Sequence, residues 1–150
     1  MLRGGLYREI PVEHANPYDA DEVRVLVVED HPATRVCLCR LLETYGYTCA
    51  SATDGADALA RVRSFRPHAV VMDFNMPVVD GMEATRRLKA NPETRQIPVV
   101  ALTANDCYDI RQQAVLAGVN VFLTKPTELS VLLAQLRLLA PVPHNVTASM

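Results

Sequence analysis

The chain has 150 residues, of which 49% are apolar and 21% are charged, and its net charge is −2 at neutral pH. This length favours one domain with a full core. Domains that bind nucleic acids by bulk charge are usually strongly basic, so the charge argues against that class. No apolar run reaches the length of about 18 residues needed to cross a membrane, and the first residues lack the apolar stretch of a signal peptide. We therefore expect a cytoplasmic protein with no membrane insertion and no direct contact with nucleic acids.

Short β-branched runs and segments with helical spacing alternate five times along the chain. Strands are predicted at 23–28, 47–51, 69–72, 97–102 and 119–123, and helices at 32–45, 54–64, 81–90, 106–117 and 127–139. Alternating strands and helices form right-handed βαβ units around a parallel sheet. The first and third runs lack alternating polar residues, which is typical of strands covered by helices on both faces. The pattern predicts an α/β fold with a doubly wound five-stranded parallel sheet in the flavodoxin-like order 2-1-3-4-5.

Residues that start and end helices lie at the boundaries of these segments. Pro32 suits the first turn of the first helix, where its missing N–H costs nothing. Asp54 and Asp80 are expected to cap the second and third helices with their side chains. Gly46 and Gly118 are expected to end the first and fourth helices. Local and global signals therefore agree on one fold.

Polar residues follow four of the five predicted strands directly. Strand 1 ends in Glu29 and Asp30, strand 3 in Asp73, strand 4 in Thr103 and strand 5 in Lys125. In a sheet of this order, the site lies beyond the carboxyl ends of the strands, where the winding reverses. We therefore expect these side chains to meet at one edge of the sheet, close to strands 1 and 3.

Three carboxylates at one edge require a cation, because two of them about 4 Å apart repel by about 4 kcal/mol at an effective dielectric constant near 20. Oxygen ligands without Cys or His favour Mg²⁺ over zinc. Lys125 supplies a charge and Thr103 a hydroxyl for a phosphoryl group, and one carboxylate can attack phosphorus to form an aspartyl phosphate. The residue types predict phosphoryl chemistry driven by positioning and charge neutralisation.

In this order, the residues resemble the signature of response-regulator receiver domains of two-component systems. The resemblance extends over about residues 23–139 and rests on four motifs: Glu29-Asp30, Asp73-Phe74-Asn75-Met76-Pro77, Thr103-Ala104 and Lys125-Pro126. It implies a chemotaxis-type receiver that takes a phosphoryl group from a histidine kinase or a histidine phosphotransfer protein. Such a domain signals to a downstream protein by changing shape. It is a phosphoacceptor rather than an enzyme, although it assists its own phosphorylation and dephosphorylation.

The resemblance also implies roles at the metal site. Asp73 would be the phosphoacceptor and one metal ligand. Asp30 would bind Mg²⁺ directly, and Glu29 would act largely through water. The main-chain carbonyl of Asn75 would be a further ligand.

The remaining implied roles concern the phosphoryl group and the conformational switch. Lys125 would contact the phosphoryl oxygens, with a cis bond to Pro126, and Thr103 would turn inward to bond the phosphoryl group. Phe122 occupies the position of the family's switch aromatic. Many receivers have Tyr there, with a hydroxyl that can form hydrogen bonds. Phe122 can only move an apolar ring, so we expect steric coupling.

Two other functions stay open on the sequence alone. A phosphatase of the haloacid-dehalogenase type also uses an aspartyl phosphate, but it needs Asp-x-Asp where this chain has Glu29-Asp30-His31-Pro32. A pseudo-receiver is an interaction module that is never phosphorylated, and it has usually lost an acidic residue, the Thr or the Lys. None of them is lost here.

We interpret His31 as part of a helix start rather than a metal ligand, because Mg²⁺ prefers oxygen.

The resemblance divides the chain into an N-terminal extension or linker at 1–22, a receiver domain at 23–139 and a C-terminal tail at 140–150. No output segment is recognised after the last predicted helix, so we expect a stand-alone receiver or one from a hybrid histidine kinase. The four cysteines lack metal-binding spacing and are interpreted as reduced thiols that mostly pack as small apolar groups.

Overall fold

The computed structural model describes residues 22–75 and 80–141, and five strands and five helices alternate in this part of the chain. They are β1 (Val23–Val28), α1 (Pro32–Thr44), β2 (Tyr47–Ala52), α2 (Gly55–Phe65), β3 (Ala69–Asp73), α3 (Gly81–Ala90), β4 (Val99–Thr103), α4 (Tyr108–Ala117), β5 (Val121–Thr124) and α5 (Leu129–Leu139). Most of the predicted extension and tail, and Met76 and Pro77 of the quoted motif, lie outside the described residues. None of the helices within these two ranges is long and apolar enough to span a membrane.

The five strands form one parallel sheet in the order β2-β1-β3-β4-β5, which confirms the predicted topology. Val28 at the end of β1 pairs with Met72 near the end of β3. On the other side of β3, Asp73 pairs with Leu102. Since all strands run in the same direction, the carboxyl ends of β1, β3, β4 and β5 lie along one edge of the sheet.

Helices cover both faces of the sheet, and each face has its own apolar core. One core joins alternate residues of the strands, such as Leu26 and Met72, to residues of α2, α3 and α4. The other joins the intervening residues, such as Val25 and Val71, to α1 and α5. Successive strand residues point to opposite faces. The runs 25–28 of β1 and 69–72 of β3 are therefore apolar throughout, as predicted.

The predicted caps are largely confirmed. The side chains of Asp54 and Asp80 accept hydrogen bonds from the first turns of α2 and α3, and Pro32 lies in the first turn of α1. Gly118 ends α4 with a φ of 103°. Gly46 also has a positive φ, but it follows the C-cap of α1 by one residue.

Strands β4 and β5 each begin two residues later than predicted. Pro98 has no N–H for a sheet ladder, and the Ile97 N–H donates to the Thr94 carbonyl in a turn, at 3.0 Å. The Val119 N–H donates to the Ala114 carbonyl at the end of α4, at 3.1 Å. Turns and a helix end therefore use the backbone donors that the sequence pattern assigned to the two strands.

Candidate functional site

Three carboxylates meet at the carboxyl edge of the sheet. Glu29 and Asp30 directly follow β1, and Asp73 is the last residue of the neighbouring strand β3. One oxygen from each of the three side chains lies within 4.8 Å of the others. Glu29 and Asp73 are buried, with exposed fractions of 6% and 3%, whereas Asp30 is exposed. The structure thus brings together three of the residues that the sequence placed at this edge.

Lys125 brings a positive charge to the cluster from the end of β5. Its Nζ lies 3.2 Å from Asp73 Oδ1 and 3.8 Å from Glu29 Oε1. Its backbone N–H donates to the Thr103 carbonyl at 2.7 Å, which ties it to the end of β4. The peptide bond from Lys125 to Pro126 is cis. Lys125 thus pairs with two of the three carboxylates, and among the described residues no other side-chain cation forms an ion pair with this cluster, so the site carries excess negative charge.

Asn75 links Asp73 to the end of β4. Its backbone N–H donates to Asp73 Oδ1 at 2.9 Å. Its side-chain oxygen accepts from the Ala104 N–H at 3.0 Å and from the Thr103 hydroxyl at 3.4 Å. The loop after β3 is therefore hydrogen-bonded to the loop after β4, a connection that the sequence motif did not reveal.

Thr103 is buried at the end of β4, with an exposed fraction of 1%. Its Oγ1 lies 3.3 Å from the Asn105 carbonyl and accepts from the Asn105 N–H at 3.1 Å. The hydroxyl is therefore held by neutral groups of its own loop and by the Asn75 side chain. These are modest interactions, since neutral hydrogen bonds contribute only about 1 kcal/mol each.

Burial is the main reason why the pKa of Glu29 is raised above its usual value. The negative charge of Asp73 raises this pKa further. The His31 N–H, which donates to Glu29 Oε2 at 3.1 Å, and the Lys125 ammonium lower it. The raised pKa means that the protein alone stabilises the ionised carboxylate less well than water does.

His31 begins helix α1, as interpreted from the sequence. Its Nδ1 accepts a hydrogen bond from the Thr34 N–H at 3.4 Å. Sequence reasoning missed Arg35, whose guanidinium donates to the carbonyls of Glu29 and Asp30, at 3.0 and 3.4 Å. Arg35 holds the loop that carries two of the three acids. No sequence signal identified it, because its partners are backbone groups.

Phe122 on β5 is half-buried, and Arg111 from α4 lies over its ring, with Cζ 4.6 Å from the ring centroid. The Arg111 guanidinium also pairs with the Asp106 carboxylate. An aromatic face attracts a cation in this geometry. The expectation of purely steric coupling did not include this contact, which joins two elements that no sequence pattern relates.

The acidic cluster fits a hard divalent cation. All three side chains offer carboxylate oxygens, and an all-oxygen donor set suits Mg²⁺ or Ca²⁺ rather than zinc. Two of the carboxylates are buried, and Lys125 forms ion pairs with both of them. The negative charge of these carboxylates is therefore only partly compensated, and a divalent cation would supply the missing positive charge.

A family model described as the response regulator receiver domain matches residues 25–137. The chain belongs to this family. Receiver domains are signalling modules of two-component systems, and this assignment does not favour a haloacid-dehalogenase phosphatase. The chain is 42% identical over 117 residues to the response regulator MprA of Mycobacterium ulcerans (strain Agy99), which covers 78% of this chain and 50% of that protein. It thus spans about half the length of such curated relatives.

Solved structures agree with the receiver assignment. The chemotaxis protein CheY4 of Vibrio cholerae has a TM-score of 0.74 and 28% identity, over 79% of this chain and 98% of that one. The receiver domain of the sensor histidine kinase PA1611 from Pseudomonas aeruginosa PAO1 has a TM-score of 0.72 and 33% identity, over 79% and 97%. That structure has a magnesium ion coordinated in its active site cleft. Receivers from a response regulator and from a histidine kinase are therefore both similar to this chain.

Proposed function

We propose that this receiver domain takes a phosphoryl group onto Asp73 from a phosphohistidine of a histidine kinase or histidine phosphotransfer protein. The observation that carries the proposal is the buried Asp73 carboxylate, which lies 3.2 Å from the Lys125 ammonium within the acidic cluster. We place the domain at residues 23–139 and in the cytoplasm. Downstream, we expect a protein that distinguishes the phosphorylated from the unphosphorylated form.

The two oxygens of Asp73 have different surroundings. Oδ1 lies beside the Lys125 ammonium and accepts the Asn75 N–H. Oδ2 is then the oxygen suited to attack phosphorus. The new bond joins Oδ2 to phosphorus, and the bond between phosphorus and the donor nitrogen breaks, with its electron pair leaving on the nitrogen. Lys125 remains in place as a charge for the transferred phosphoryl oxygens.

The metal expected here is Mg²⁺. Asp30, Asp73 and the main-chain carbonyl of Asn75 would hold it, with Glu29 acting largely through water. When bound, it supplies the positive charge that allows the acidic cluster and a phosphoryl group to coexist. Asp30 suits direct ligation because it is exposed at the mouth of the cluster. Arg35 fixes the loop that presents it, through the Glu29 and Asp30 carbonyls.

Thr103 is positioned to report the phosphoryl charge. A phosphoryl group on Asp73 offers its hydroxyl an ionised acceptor in place of the neutral oxygens of Asn75 and Asn105. A hydrogen bond to a charged group contributes about 1.5–3 kcal/mol and a neutral one about 1 kcal/mol. The exchange therefore gains about 0.5–2 kcal/mol, enough to shift a conformational equilibrium roughly two- to thirtyfold. Phosphorylation would therefore rebalance two shapes of the same fold. The loop after β4 and the Phe122 ring are the parts expected to move.

The test is phosphorylation by acetyl phosphate in Mg²⁺, followed by intact mass and peptide mapping. The wild-type chain should gain one phosphoryl group, Asp73→Asn should gain none, and Asp109→Asn, which changes an exposed carboxylate on α4, should match the wild type. Stoichiometric labelling of Asp73→Asn at the wild-type rate would disprove the assignment. A wild-type chain that accepts nothing, from acetyl phosphate or from phosphohistidine donors, would instead identify a pseudo-receiver.

A further inference from the structure

Cys39 on α1 and Cys49 on β2 lie together on a part of the fold that the phosphoacceptor site does not use. Along β2, Tyr47 and Cys49 point to the face covered by α1 and α5, and both pack with that core. Cys39 packs against the same core from α1. Two thiols that are ten positions apart in the sequence thus meet where the helix covers the strand.

A chain of hydrogen bonds connects these groups. Cys39 Sγ lies 3.9 Å from the carbonyl of Ala50, to which it donates, and Ala50 directly follows Cys49, whose thiol interacts with that of Cys39. Both cysteines are free and half-buried, so a small oxidant can reach them. The other two cysteines, Cys37 and Cys107, are exposed.

The arrangement makes the two thiols unequal. The hydrogen bond from Cys49 lowers the pKa of the Cys39 thiol, while the same bond and burial raise the pKa of Cys49. Burial and the Glu43 carboxylate oppose the lowering of the Cys39 pKa, and the Arg35 guanidinium, one helical turn earlier, adds to it. The thiolate is the reactive form of cysteine. We assign the first step to Cys39, and Cys49, which packs on the same core, is placed to react with it in a second step.

We propose that Cys39 and Cys49 form an oxidation site, at which hydrogen peroxide converts the two thiols into an intramolecular disulfide between α1 and β2. The Cys39 sulfur attacks one peroxide oxygen, the O–O bond breaks, and water leaves after protonation, so that Cys39 becomes a sulfenic acid. The Cys49 sulfur then attacks the Cys39 sulfur. The S–S bond forms, the S–O bond of the sulfenic acid breaks, and the leaving hydroxide takes up the Cys49 thiol proton and departs as a second water. The thiols together lose two electrons and two protons, and hydrogen peroxide gains them.

The fold permits the movement that this bond requires. The sulfurs must approach from hydrogen-bonding distance to a bond length of about 2.05 Å. β2 is an edge strand that pairs with β1 alone among the described strands, so it can shift more easily than a central strand. The bond would attach this edge to the helix whose Arg35 holds the loop of Glu29 and Asp30.

The experiment exposes the folded, fully reduced chain to equimolar hydrogen peroxide, alkylates the remaining thiols and measures the intact mass. The expected product has lost the mass of two hydrogens, retains two alkylatable thiols, and returns to the reduced mass with dithiothreitol. Cys37 and Cys39 share one tryptic peptide, so the linkage is mapped in Cys37→Ser, where a link to the Cys49 peptide can only come from Cys39. The double variant Cys37→Ser/Cys107→Ser should oxidise at the wild-type rate.

Variants of the pair itself complete the test. Cys39→Ser and Cys49→Ser should each lose the disulfide while keeping the circular dichroism spectrum of the wild type. Should either variant fail to fold, the linkage mapped in the chain with native Cys39 and Cys49 remains decisive. Four alkylatable thiols after peroxide treatment, or a bridge through Cys37 or Cys107, would overturn the proposal. Because neither readout involves Asp73, the outcome is independent of the proposed phosphoacceptor function.

Discussion

Replacing Glu29 by glutamine should make the metal-free receiver domain more stable. Glu29 is buried, its Oε2 accepts the His31 N–H at 3.1 Å, and its Oε1 lies 3.8 Å from Lys125 Nζ. Glutamine has nearly the same shape and keeps an oxygen for the His31 N–H, so packing and this hydrogen bond are retained. Only the negative charge is removed.

The repulsion from Asp73 and the attraction to Lys125 decide whether Glu29→Gln raises or lowers the free energy of unfolding. At an effective dielectric constant near 20, carboxylate oxygens of Glu29 and Asp73 that lie within 4.8 Å of each other repel by at least about 3.5 kcal/mol. The attraction to Lys125 at 3.8 Å amounts to about 4.4 kcal/mol on the same scale. These terms nearly cancel, and the cost of burying the charge remains. We expect glutamine to raise the free energy of unfolding by about 1–2 kcal/mol, which is of the size measured for poorly compensated buried polar groups.

The pH dependence follows from the raised pKa of Glu29. In the folded chain this pKa lies above its ordinary value of 4.5, so the folded form holds the proton to a higher pH than the unfolded form. The wild type therefore loses stability as the pH rises from about 4.5 through the folded pKa. The advantage of Glu29→Gln should be absent below this window and complete above it.

The assay is thermal unfolding of wild type and Glu29→Gln by circular dichroism, at neutral pH in EDTA and again in Mg²⁺. In EDTA the variant should melt higher, by roughly 4 °C for each kcal/mol. Saturating Mg²⁺ should stabilise the wild type by mass action and reduce or reverse the difference. Asp30→Asn is the matched control, because Asp30 belongs to the same cluster but is exposed. Its melting temperature in EDTA should differ less from that of the wild type. A lower melting temperature for Glu29→Gln in EDTA would refute the reasoning, since the Lys125 pair would then outweigh burial.

Three further changes test other contacts. Gly81→Ala should destabilise the fold by about 1–3 kcal/mol in urea unfolding and slow acetyl phosphate labelling. The added Cβ would lie 2.5 Å from Phe74 Cδ1 and 2.6 Å from the carbonyl oxygen that precedes Phe74. Unchanged stability would show that Phe74 and this carbonyl move away freely. Asp54→Ala should cost about 1 kcal/mol through the lost cap of α2 and leave labelling unaffected, and slower labelling would contradict this separation. In a double-mutant cycle of Arg111→Ala with Phe122→Leu, the two losses of stability should sum to more than that of the double variant. Strict additivity would mean that the ring contact contributes nothing.

The sequence alone predicted the layers, the strand order and the identity of the residues at the carboxyl edge. Strand and helix periodicities are local, and caps such as Asp54 and Asp80 act within a few residues of their own position. In a parallel sheet, the residue that ends a strand must lie at the common edge whatever the details of packing. The resemblance to receivers, which the family match confirms, rested on the same residues.

Only the tertiary structure decided which of these groups touch and what their surroundings are. The raised pKa of Glu29 depends on burial and on neighbours from two other strands. Two contacts depend on how a helix lies over a strand: the contact of Arg111 with Phe122 and that of Cys39 with Cys49. Such contacts arise from the orientation of packed elements, in which small shifts decide the partner of each side chain. Sequence periodicity fixes the face of an element, whereas the neighbour met across that face is set by packing.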